Sequence, residues 1–109
     1  MKLFDFFKSG KPISSSEKIL GRWKIFKSEG EVSYEKSSVM EFLKDGKLIY
    51  SFQQENKTVI MNLVYKLDGN VIISDQPSSP REERTEFCFE TDDILFLRFN
   101  DNQSWFRRE

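Results

Sequence analysis

Histidine is absent from this 109-residue chain, and cysteine occurs once. Without an imidazole there is no histidine base, no Cys–His nucleophile and no histidine metal ligand. A single cysteine allows no intrachain disulfide, so the framework of a small secreted domain is excluded. Cys88 lies between Phe87 and Phe89 in a strand-like run and reads as a structural or half-exposed thiol rather than a reactive one. Long hydrophobic runs are missing as well. No stretch approaches the ~20 apolar residues of a transmembrane helix, which argues against an integral membrane span. Met1-Lys2-Leu3-Phe4-Asp5-Phe6-Phe7-Lys8 is too short for a signal h-region and is interrupted by Asp5, so a cytoplasmic location is expected. With five glycines in all, the chain has no glycine-rich phosphate loop and no nucleotide fingerprint. Glu82-Glu83 and Asp92-Asp93 fall in loop-like stretches and read as solvated turn acids. Asp101-Asn102 lacks the spacing of a calcium loop. No catalytic residue, metal or cofactor is therefore expected.

Phenylalanine is abundant instead: eleven residues lift the aromatic share to 15%, against 38% hydrophobic and 32% charged residues overall. This is the composition of one globular domain with a modest core. Net charge is -1, but it is unevenly spread. Residues 1–27 carry seven Lys/Arg and two Asp/Glu, and the remainder is acidic. The Lys-rich start reads as a solvated segment. The Trp23-Lys24-Ile25-Phe26-Lys27 run has the look of a single-strand nucleic-acid platform, but the acidic body argues against a nucleic-acid partner. Arg81, Arg84 and Arg98 sit among acids and are expected in salt bridges.

Leu3, Phe4, Phe6 and Phe7 cluster at helical spacing, suggesting a short amphipathic segment that ends at Ser9-Gly10-Lys11-Pro12. Ser14-Ser15-Ser16 before Glu17 suits a serine-capped helical turn. Residues 1–16 are thus expected as an appendage to a domain over 17–109. From Leu20 the period becomes two. Strands are predicted over 20–27, 38–43, 48–53, 58–67, 71–74, 85–91, 94–99 and 103–108. Lys44-Asp45-Gly46-Lys47, Glu55-Asn56-Lys57, Asp68-Gly69-Asn70, Asp92-Asp93 and Asn100-Asp101-Asn102 supply turns between them. The 76–84 stretch, with Pro77 and Pro80, reads as the longest loop of the β region. Eight short strands on tight turns avoid free edges by curling up. The expected fold is all-β: an eight-stranded antiparallel up-and-down meander barrel with a short N-terminal helical segment.

Leu20-Gly21-Arg22-Trp23 on the first strand, the hairpin meander, and Trp105-Phe106-Arg107-Arg108 on the last strand together resemble a lipocalin-like (calycin) domain over about residues 18–109. The chain lacks the family's Thr-Asp-Tyr motif and its long helix, and in size it is similar to compact bacterial lipocalin-like domains. The resemblance implies that Trp23 packs at the closed barrel end beneath Arg107 or Arg108, with Gly21 permitting close backbone approach. A cation over a shielded indole contributes roughly 0.5–2 kcal/mol.

The inward faces are expected to carry Trp23, Phe42, Phe52, Met61, Leu63, Tyr65, Phe87, Phe89, Leu95, Leu97 and Phe99, enough bulk to fill much of the lumen and leave a packed core or a shallow groove. The residues placed nearest a small hydrophobic or amphipathic ligand at the open end are Tyr50, Phe52, Met61, Tyr65, Phe87 and Phe89. The expected function is a noncatalytic binding module. The alternative is a protein–protein interaction domain, such as a bacterial immunity or inhibitor protein. An open seam would also allow a homodimer through an edge strand.

Overall fold

The computed structural model describes residues 14–30 and 37–109. The apolar segment expected at 3–8 lies outside the described residues. One helical turn, α1 (Ser15–Lys18), precedes eight strands: β1 (Gly21–Glu29), β2 (Val39–Phe42), β3 (Lys47–Gln54), β4 (Lys57–Asp68), β5 (Val71–Asp75), β6 (Glu83–Thr91), β7 (Ile94–Phe99) and β8 (Asn102–Arg108). They form a closed barrel in sequence order, each strand antiparallel to the next and β8 returning to β1. This is the all-β up-and-down barrel expected from the alternation, and closure leaves no open seam.

α1 forms where the serine run predicts it. Ser14 is the N-cap, its Oγ accepting from the Glu17 amide at 3.3 Å and donating to the Glu17 carboxylate at 3.0 Å. The turn runs across the 16/17 boundary, and Ile19 behind it is fully buried in the barrel core. The tight turns also follow the local sequence. Gly46 (φ 86°) and Gly69 (φ 59°) supply left-handed backbone at the β2–β3 and β4–β5 corners. The β1–β2 connection, residues 30–38, is longer than the β5–β6 connection, residues 76–82, which lies within the 76–84 stretch expected to be the longest loop.

Strand β1 departs from simple alternation. Trp23 and Ile25 face inward, and the same period would aim Lys27 at the core. A bulge between Ile25 and Lys27 shifts the register against β8, so that Lys27 pairs with Trp105 and stays outside beside the exposed Phe26. The bulge thereby spares the barrel a buried ammonium.

The core fills the closed end of the barrel and continues into the wall of a cavity, where Phe42, Leu48, Ile72, Leu97 and Phe106 belong to both. Ile19, Trp23, Ile25, Phe42, Leu48, Ile72, Phe87, Leu95, Leu97 and Phe106 form one buried cluster, with Met40, Leu63, Tyr65, Leu67 and Phe89 packed against it.

Candidate functional site

The barrel is closed at the end where α1 sits. Trp23 and Arg108 are direct partners across the β1–β8 ladder, so both side chains point the same way. The Arg108 guanidinium lies 4.2 Å from the Trp23 ring centre. It also donates to three carbonyls: Nη1 to Leu20 at 3.0 Å, and Nη2 to Lys18 at 2.7 Å and to Asp92 at 3.0 Å. The Trp23 indole donates to the Ile19 carbonyl at 2.8 Å. The free carbonyls at the end of α1 are thus capped by the first and last strands. Lys18 reaches Asp92 at 2.8 Å, and its hydrogen bond and charge hold the Asp92 carboxyl below its ordinary range, with Arg108 adding to the effect. Gly21 stands here at φ 115°. A Cβ on it would meet only Arg108 Nη1 at 3.7 Å, ordinary contact, so the glycine is required by its backbone angle rather than by close approach. The glycine that close approach does require is Gly30. A Cβ there would lie 2.6 Å from Asn102 Oδ1 and 2.9 Å from the Asp101 carbonyl oxygen.

The other half of the lumen is hollow. A cavity of about 370 Å³ opens between the strands there. Its walls differ. Met40, Phe42, Leu48 and Leu63 from β2, β3 and β4 make one side apolar, while Leu97, Phe99 and Phe106 complete the floor and far wall. Ser74, Glu83 and Thr85 from β5 and β6, and Asn102 and Ser104 from β8, bring polar groups to the rest. Ser74 and Glu83 are direct ladder partners, and Thr85 follows Glu83 on the same face. Ser104 is only 2% exposed. Among the described residues the hydroxyls of Ser74, Thr85 and Ser104 have no hydrogen-bond partner. Of the three only Ser104 is buried, and a buried hydroxyl left without a partner is costly unless something in the cavity supplies one. A second recess of about 240 Å³ shares Tyr50, Leu63, Ser74 and Glu83 with the lumen and adds Met61, Asp75 and Arg81 at the mouth. There the Arg81 amide donates to Asp75 Oδ1 at 2.7 Å, and the Arg81 side chain lies 3.9 Å from Glu83.

The hollow half contrasts with the filled lumen expected from the large inward residues. The cause lies in positions left out of that count. Ser74, Thr85, Asn102 and Ser104 also point inward, and their small side chains leave the volume that Phe or Leu would have taken. Period-two alternation carried through β5, β6 and β8 is the signal that finds them.

The six residues expected near a ligand are divided between the two halves. Tyr50 lines the cavity, and its hydroxyl is 3.1 Å from Ser38 Oγ. Met61 lines the mouth recess. Phe52 packs on Tyr50 with ring centres 5.5 Å apart. Phe87 and Phe89 stack edge to face at 5.8 Å, and Phe89 leans on Trp23, so this pair belongs to the closed half. Tyr65 stands edge-on to Phe42 at 5.0 Å and donates to the Leu43 carbonyl. Burial raises its phenol above the ordinary range, and Asp45 adds to the effect.

Arg107 points away from the barrel. Its guanidinium covers the Phe26 ring at 4.5 Å, next to Lys27 over Trp105 at 4.6 Å. Trp105 contacts Phe96 and donates to Glu90 at 3.0 Å. Cys88 is exposed on the same outer wall. Arg81, Arg84 and Arg98 pair with Glu83, Glu82 and Glu86. Among the described residues no group of His, Cys, Asp or Glu is arranged to hold a metal ion, and no helix is long and apolar enough to cross a membrane.

Neither a protein-family model nor a curated protein matches this chain. Among solved structures, it is similar to an uncharacterized protein from Bacteroides eggerthii, with a TM-score of 0.68 and 16% identity, covering 84% of this chain and 99% of that one. At this identity the likeness is one of fold. The same compact barrel recurs on a largely different sequence.

Proposed function

We propose that this protein is a noncatalytic binding module of lipocalin-like type that takes a small hydrophobic or amphipathic molecule into the open half of its barrel. The cavity carries this reading: about 370 Å³, bounded by apolar side chains with a few polar groups converging on it, within the ordinary size range of small-molecule sites. The lipocalin-like assignment is supported by the Trp23–Arg108 stack at the closed end and the meander order of the strands. Native mass spectrometry of protein purified gently from its own host tests it. The expected spectrum shows an added mass of a few hundred daltons that is lost on denaturation. The same mass should be missing from a Ser104→Phe variant, whose new ring occupies the lumen.

A second reading, a protein–protein interaction domain of the immunity or inhibitor kind, is favoured by the outer wall of β1, β7 and β8. There Phe26 is 44% exposed beside Phe96 and Trp105. A copurifying polypeptide in the same spectrum, with an empty lumen, would select it.

A further inference from the structure

We infer that the lumen selects a cationic amphiphile, an amine with an apolar body, and rejects the corresponding carboxylate. The inference rests on the reading of the lumen as a ligand site and concerns which ligand that site accepts.

Charge is what decides between the two. Glu83 is the sole ionisable group among the residues named around the cavity apart from the Tyr50 phenol, and no lysine or arginine joins it. At the mouth the balance is similar. Asp75 and Glu83 face Arg81, whose side chain is 83% exposed and comes no nearer than 3.9 Å to Glu83, itself 44% exposed. Glu82, the next acid, is already paired with Arg84 at 3.1 Å. A carboxylate head group entering this space would give up water beside a like charge, with no buried cation to offset the loss. An ammonium meets the opposite situation. It has three N–H donors and no acceptor. The Glu83 carboxylate and the hydroxyls of Ser74 and Thr85 form one contiguous patch of acceptors, placed together by the β5–β6 register. Neither hydroxyl has a partner among the described residues. The apolar body of the ligand then lies against Met40, Leu48 and Leu63 on the facing wall. At about 30 Å³ per water-sized group, a cavity of about 370 Å³ has room for a body of roughly a dozen such groups.

Three ligands of one length separate the possibilities: decylamine, decanol and decanoate, each titrated below its micelle concentration against the neutral fluorescent probe N-phenyl-1-naphthylamine bound to the full chain. Decylamine is expected to displace the probe about tenfold more tightly than decanol, and decanoate more weakly than either. Glu83→Gln should bring decylamine to the decanol value measured on the same variant, whose folding is certified separately by an unchanged far-UV circular dichroism spectrum. Equal affinity of amine and alcohol in the unaltered protein, or tighter binding of decanoate, overturns the charge selection and leaves the lumen a ligand site. Failure of the probe and all three compounds to bind overturns the ligand-site reading, and the selection with it.

Discussion

The two halves of the barrel are built from the same eight strands and solve opposite problems. In the closed half, inward positions carry Trp23, Phe87, Phe89 and Leu95, and the end is sealed by α1 under the Arg108 guanidinium. In the open half, the same strands present Ser74, Thr85 and Ser104 at inward positions, and a cavity remains. Side-chain volume, not backbone design, separates a core from a pocket here. On the proposed function the contrast is a division of labour: the indole and arginine seal one end, and the small side chains leave space for a ligand at the other.

Substitutions can break that division at either end. The largest effect is expected from Trp23→Ala. Truncating a fully buried indole typically costs about 3–5 kcal/mol, read as a shift in the urea midpoint. A loss near zero would mean that the closed half is not where stability lies. Arg108→Met keeps much of the apolar length and removes the carbonyl bonds and the indole contact, for a loss of about 2 kcal/mol. Arg107→Met, acting on the outer wall, should change stability by less than about 0.5 kcal/mol. Equal losses at the two positions would erase the distinction between inner and outer arginine. In the hollow half, Ser104→Leu is expected to cost at most about 1 kcal/mol while abolishing probe binding, because the added methyls enter free space. A loss comparable to that of Trp23→Ala would show that the cavity does not accept them.

Two smaller effects are read through pH. Tyr65 has its phenol raised by burial and by Asp45, so the neutral form is favoured in the folded state. Its contribution should be complete below about pH 10, the ordinary phenol value, and fall as pH rises through the raised folded value. Tyr65→Phe should remove that alkaline slope. Asp92 works in the other direction. Its carboxyl is held low by Lys18, so its contribution is present above the ordinary carboxyl range and lost as pH falls through the depressed value. Asp92 is fully solvated, so the acid limb should move only slightly in Asp92→Asn.

Much of this was legible in the residues. The period-two runs, the Asp45-Gly46 and Gly69-Asn70 corners and the serine cap are local signals, and the strands they delimit close in sequence order. The alternation around Trp105-Phe106-Arg107-Arg108 shows that the two arginines face opposite ways. Choosing between them requires the register with Trp23, which is a property of two strands about 80 residues apart rather than of either one. The β1 bulge was hidden for a similar reason: one extra residue is visible only against its partner strand. The hollow half is not legible in the large inward residues, because a cavity is made by the small ones. The need for Gly30 became apparent only once Asn102 lay against it.

The β1–β8 ladder has a consequence for how the chain matures. Strand β1 is synthesised before the other seven strands, yet its second partner, β8, is synthesised after all of them. At typical synthesis rates of about 5–20 residues per second, β1 waits on the order of ten seconds with only β2 to pair with. Throughout that interval the indole of Trp23 and one whole edge of β1 are open to other chains. Ring closure is therefore a long-range event that waits for β8.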